Sequence, residues 1–195
     1  MAELLTNLTF LFMDSNMRSL TLFITSFVVG ICNMQCSHAD DKAVTGFPAD
    51  VSWGRIVARE SALELHVKKI PENNVLSFPR LNNRMKSLYL TGKTEEESQL
   101  KFKPEINTWE ITFPKEQADF SGVVIFETLE PIELATKPHV VEQWKDGVVT
   151  LPAHHVITHG KLLRYEPQPH KNTMGYWANA EDWAEWHVGI SQPTE

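Results

Sequence analysis

Four aromatic residues near the end of the chain, Tyr176, Trp177, Trp183 and Trp186, are the side chains best suited to binding chemistry. An aromatic face offers a large apolar contact at low entropic cost and can stack on the C–H face of a sugar ring. The same residues carry a plainer expectation, because large aromatics on an alternating strand, or at the three-residue spacing of Trp183 and Trp186, usually face a core. If Trp177 is buried on a strand, its neighbour Tyr176 faces the other way and is the exposed member.

Two further constellations invite chemistry. His155 and His159 have the i, i+4 spacing that seats a metal on one helix face, and His154 and His170 could add ligands. No glutamate lies between them, Gly160 follows at once, and on a strand or loop the spacing loses its meaning; no metal ligand is assigned. Glu127, Glu130 and Glu133 raise glycoside hydrolysis, which needs two carboxyl groups about 5 Å apart beside a bound sugar when configuration is retained. Their spacing follows a strand leading into the Pro131 turn, so they are expected as exposed charges, and no catalytic residue is assigned. A Gly-x-Ser-x-Gly elbow, a phosphate loop and a dinucleotide fingerprint are all absent from the sequence, which implies no cofactor.

The elements that must position these residues belong to a chain of 195 residues, 42% hydrophobic and 22% charged, an ordinary globular composition. A (β/α)8 barrel needs about 250 residues, so any chemistry is expected from one or two small domains. With 18 Lys+Arg against 25 Asp+Glu the net charge is -7, which disfavours nucleic acid and anionic lipid as partners.

Met17-Arg18, the apolar run from Leu20 to Ile31 and the small-x-small ending Ser37-His38-Ala39 have the three parts of an export signal. Residues 1–39 are read as a signal segment with cleavage after Ala39 and a periplasmic or extracellular destination. The apolar run is well short of the roughly 20 residues that span a bilayer, so no integral membrane span is expected after cleavage. Residues 1–16 hold an apolar run with no Lys or Arg, which makes Met17 the expected translation start. Cys32 and Cys36 both precede the cut, so packing, not disulfides, must stabilise the mature chain.

From about residue 50 the pattern is that of strands. Leu63, Leu65 and Val67 alternate with Glu64, His66 and Lys68, and Trp109, Ile111 and Phe113 with Glu110 and Thr112. Val123 to Phe126 is apolar throughout, as in a strand covered on both faces or near a sheet centre. Further strands are expected at Val51 to Ala58, Val75 to Phe78, Met85 to Leu90 and Leu100 to Phe102. Glu95-Glu96-Glu97 is expected as a solvated loop, and Thr136-Lys137-Pro138 as a linker. Seven short strands with close-set turns predict a β-sandwich or an open barrel.

The pieces Val51-Ser52-Trp53-Gly54-Arg55, Leu63 to Val67, Val75 to Pro79 with Leu81-Asn82-Asn83, Lys86 to Leu90, Thr108 to Pro114 and Val123 to Glu127 resemble, in order and spacing, the C-terminal β-sandwich of bacterial α-L-fucosidases of glycoside hydrolase family 29. The resemblance covers roughly residues 50–134. It implies a sandwich that braces a separate catalytic barrel, and no residue of this chain matches the motifs of that barrel. Residues 141–195, through Val148 to Pro152, His159-Gly160, Leu162 to Glu166, Asn172 to Trp177, Asp182-Trp183 and Trp186, resemble the opening half of the carbohydrate-binding-module-like jelly rolls of secreted glycosidases and sulfatases. The pattern departs at Gly189 to Pro193, which makes a truncated product one expectation.

The sequence therefore predicts an all-β protein: an antiparallel sandwich over 50–134, then a partial jelly roll over 141–195. The expected role is non-catalytic and exported, binding a glycan, with fucosylated glycans among the candidates, or bracing a catalytic glycosidase barrel. The alternative is a fragment or subunit of an α-L-fucosidase, and a third reading is a remnant without function.

Overall fold

The computed structural model describes residues 47–48 and 50–191. The signal segment, both cysteines and Met17 lie outside the described residues.

Alternation sets the first strands. The chain runs β1 (Asp50–Val51), β2 (Gly54–Ala58), β3 (Ala62–Val67), β4 (Val75–Pro79) and β5 (Met85–Leu90), then α1 (Glu95–Ser98), β6 (Lys101–Pro104), β7 (Thr108–Thr112) and β8 (Gly122–Thr128). The stretch expected as one strand from Val51 to Ala58 is two, because the chain reverses at Ser52-Trp53 and pairs Val51 with Gly54. Gly54 makes this possible: a Cβ there would lie 1.9 Å from the His66 carbonyl oxygen of the facing strand.

One antiparallel sheet has the order β1-β2-β3-β8-β5 and the other β4-β7-β6. Their inner faces meet in one core, in which Leu63, Leu65, Val124 and Phe126 of the first sheet and Leu76, Trp109 and Ile111 of the second are fully buried. Phe126 of β8 crosses the gap to Phe78 and Trp109, with ring centroids 5.6 and 5.5 Å away. β8 alternates buried and half-buried residues between β3 and β5, in keeping with its apolar run.

Glu95-Glu96-Glu97 is the first turn of a helix, not a loop. The Thr94 hydroxyl accepts from Glu97 N at 3.2 Å while the Glu97 carboxylate accepts from Thr94 N at 2.8 Å, a reciprocal capping box. The helix serves the open edge of the first sheet, where Leu88 N donates to the Glu95 carboxylate and Leu90 N to Ser98 Oγ. Thr94→Ala is expected to cost about 1 kcal/mol. It should also speed amide exchange at Leu88 and Leu90 more than elsewhere in β5, which exchange measured by NMR would check.

Three strand pairs follow, made from β9 (Val140–Glu142), β10 (Ile157–His159), β11 (Arg164–Glu166), β12 (Thr173–Gly175), β13 (Trp183–Glu185) and β14 (His187–Gly189). β10 pairs with β13 and β11 with β12, both antiparallel, whereas β9 and β14 are parallel. The β10–β13 and β11–β12 pairs lie against the sandwich: Tyr165 belongs to the common core with Val156, while Met174 and Ala184 pack on it, and Met85 N donates to Pro167 O at 2.9 Å. The expected all-β class is found. Among the described residues no helix is long and apolar enough to cross a membrane.

Candidate functional site

Two features stand out, a set of exposed aromatics and a polar cavity. Trp177 and Trp183 are 58 and 50% exposed, against the expectation that such aromatics face a core, and Tyr176, expected as the exposed neighbour of a buried Trp177, is 51% exposed. Tyr176 has a left-handed backbone (φ 61°), so it and Trp177 do not alternate as strand neighbours would, and both are exposed. Each of the three is nonetheless held. The Arg164 guanidinium lies 3.7 Å over the Tyr176 ring and pairs with Glu105 of the sandwich. Trp177 Nε1 donates to Asp182 O at 3.0 Å. Trp183 stacks on His159, its partner in the β10–β13 register, with centroids 3.6 Å apart and planes 9° from parallel.

The support behind these rings is also fixed. His159 and His187 both hydrogen-bond the Glu185 carboxylate, and together they hold it below the usual glutamate range. The Asp182 carboxylate accepts from Lys161 N, Leu162 N and Leu163 N at 2.8, 3.0 and 2.8 Å. The fourth aromatic of the set, Trp186, turns inward. Its Nε1 donates to Pro152 O at 2.9 Å and its ring lies against the core, between two short strands and not at a helical spacing. Trp144, which the sequence did not single out, is 63% exposed at a turn in which Gly147 N donates to Trp144 O.

The histidines separate. His155 lies in a single 3-10 turn, Ala153–His155, whereas His159 is on β10, so the spacing places no shared metal site. His155 instead stacks on His139 at 3.5 Å, and His139 Nδ1 is 3.1 Å from Glu133 Oε1. Glu133, His139 and His155 bring one ligand atom each within 4.8 Å of one another, a two-imidazole, one-carboxylate set of the kind divalent metals use. Burial, then the neighbouring His154 and His139, pushes the His155 imidazole down to about 4, so it is neutral at pH 7. Glu127, Glu130 and Glu133 are half-buried and engaged, not free exposed charges. Glu127 accepts from Ser87 Oγ, Glu130 binds Arg84, and Glu133 accepts from Asn82 Nδ2.

Beside the histidines, the segment leaving β4, the linker after Leu134 and the start of β10 line an open cavity of about 290 Å³. Arg80, Asn107, Lys137, His155 and Thr158 are among its walls. Arg80 is 7% exposed; its Nη2 donates to Val156 O at 2.6 Å and its guanidinium sits 5.9 Å over Tyr165. Burial lowers its pKa to about 10, and it has no carboxylate partner among the described residues. This site was invisible in the sequence, where Arg80 is one basic residue between a proline and two asparagines.

The fold is thus an all-β sandwich carrying short β-ribbons. The chain matches no protein-family model and no curated protein. Among solved structures it is similar to an α-L-fucosidase from Vibrio sp. strain EJY3, at 20% identity and a TM-score of 0.35, over 58% of this chain and 21% of that one. The match spans about a fifth of that enzyme's chain, and a likeness of this size assigns neither a family nor an activity.

Proposed function

We propose that the chain is a non-catalytic, exported carbohydrate-binding protein that uses Trp177, Trp183 and Tyr176 to stack on sugar rings. The observation that carries the reading is the exposure of three aromatics whose positions are already fixed. Tyr176 is backed by Arg164, Trp183 by His159, and Trp177 is tied by its indole nitrogen. A ring immobilised before binding loses little freedom when a ligand arrives, which favours the weak contacts that sugars make. Trp186, which packs against the core, is not a contact residue. The strand sequences of residues 50–134 supply the context, an accessory sandwich of the α-L-fucosidase kind that braces a catalytic glycosidase barrel.

Thermal unfolding followed by tryptophan fluorescence, with and without fucosylated and other oligosaccharides, tests the reading, because a ligand that binds the folded state alone raises its stability. The expected result is a selective upward shift for one glycan class. Trp177→Ala and Trp183→Ala should each weaken binding roughly three- to tenfold. A cooperative transition that no glycan moves, or undiminished binding by both variants, sinks it. The second reading, a fragment or subunit of an α-L-fucosidase, rests on the same strand resemblance. It requires fucoside turnover that falls when Glu127, Glu130 or Glu133 is changed to Gln.

A further inference from the structure

We infer that Glu133, His139 and His155 form a site for one divalent transition-metal ion of the zinc class, which ties the segment leaving the sandwich to the turn before β10. One ligand atom from each residue lies within 4.8 Å of the other two. His139 Nδ1 is 3.1 and 3.2 Å from the two Glu133 carboxylate oxygens. Donors that sit about 2.0–2.1 Å from a common ion lie roughly 3 Å apart, so this pair already has the bite of a chelate. Two imidazoles and one carboxylate suit zinc, nickel or copper; calcium and magnesium take oxygen ligands instead.

The backbone around the ligands is anchored. Glu133 is fixed at three points: its N–H donates to Asn83 Oδ1 at 2.7 Å, its carbonyl accepts from Asn82 N at 2.8 Å, and its carboxylate accepts from Asn82 Nδ2 at 3.2 Å. A carboxylate hydrogen-bonded in this way is an oriented ligand. His139 follows Pro138 and leads into β9, and His155 ends the 3-10 turn after which Val156 O accepts from Arg80. One adjustment is needed. The stacked rings of His139 and His155 lie 19° from parallel, which keeps their lone pairs from converging, so one ring must tilt for both to meet one ion. Both residues line the open cavity, which gives the ion a path in and leaves space for the water that completes four-coordination. Of the two cations that also line it, Lys137 is exposed and screened by solvent, and Arg80 is engaged by Val156 O and Tyr165.

The test uses the whole chain, stripped with chelator and free of any histidine tag, in a Cys32→Ser/Cys36→Ser background because thiolates bind zinc themselves. Isothermal titration with zinc chloride should show one ion per chain, and zinc should raise the unfolding temperature, since the ion binds the folded state. Magnesium and calcium chloride should do neither. In NMR spectra zinc should move the imidazole resonances of His139 and His155 together. His139→Gln and Glu133→Gln should each weaken zinc binding at least about tenfold, the lower end of the loss seen when even a residue that orients a ligand is removed. His139 is half-buried, and Glu133→Gln keeps both backbone anchors, so the two variants report on binding in a folded chain. His159 and His187 on Glu185 are the rival set. Zinc that stays bound in His139→Gln and is lost in His187→Gln belongs there and overturns the assignment. No zinc binding, equally tight calcium binding, or affinity unchanged in both His139→Gln and Glu133→Gln overturns it as well, and no result at Trp177 or Trp183 bears on it.

Discussion

Replacing Trp109 by alanine is expected to destabilise the sandwich by about 3–5 kcal/mol, the largest effect of any single substitution considered. Trp109 is fully buried on the middle strand of the three-stranded sheet. It meets Phe78 and Phe102 edge-on, at 6.2 and 5.5 Å, and Phe126 of the opposite sheet at 5.5 Å. Truncation removes the ring that joins both sheets and leaves a cavity that β-strands pinned in register cannot close. For a chain of this size the loss corresponds to a fall in melting temperature on the order of 10 °C, readable by calorimetry. Trp109→Phe should cost less, roughly 1–2 kcal/mol, because Nε1 has no partner and its removal leaves nothing further unpaired. Equal losses for the two variants would show that the ring's bulk is not what joins the sheets.

Asp182→Ala is expected to disorder the aromatic surface while leaving the sandwich folded. One carboxylate accepts from three successive backbone N–H groups, and Gly160 makes the wrap possible, since a Cβ there would lie 2.0 Å from Asp182 Oδ1 at a φ of 113°. Without the carboxylate those donors have no acceptor, and the loop that leads from Trp183's partner His159 into β11 is released. Amide exchange at Lys161, Leu162 and Leu163 should rise by orders of magnitude, and the Trp177 and Trp183 fluorescence should shift, with Asn intermediate. The same contact gives a pH dependence. The Lys161 amide, then those of Leu163 and Leu162, hold the carboxyl below its ordinary 3.8 against the opposing effect of burial. The stabilisation is therefore fully present above pH 3.8 and is lost as pH falls through the lower folded value. Protection at Leu163 that survives in Asp182→Ala, or that is unchanged in strong acid, would refute the account.

Much of the sandwich was legible because its strands follow the two-residue period. Leu63, Leu65 and Val67 are buried as their alternation requires, and so are Trp109, Ile111 and Phe113. The misreadings each have a physical cause. The like-charged run Glu95-Glu96-Glu97 suggested a solvated loop, yet Thr94 and Glu97 already had capping-box spacing, and three carboxylates suit the positive end of a helix. Burial of Trp177 and Trp183 was expected from strand alternation, which presumes a sheet with a core on one face. β13 belongs to a two-stranded ribbon, and what lies against Trp183 is the imidazole of His159. The Arg80 cavity could not be read at all, because its walls come from residues far apart in sequence that only the finished fold brings together.

The parallel pairing of β9 with β14 also imposes an order on synthesis. The first sheet is joined through β8, so all its strands have left the ribosome once Thr128 has emerged. β9 follows about a dozen residues later but must wait for His187–Gly189, and closing so long a loop is entropically slow. During that interval Val140 to Glu142 is an unpaired edge beside a completed sandwich, the form of nascent chain most open to capture by a chaperone or by a neighbouring copy.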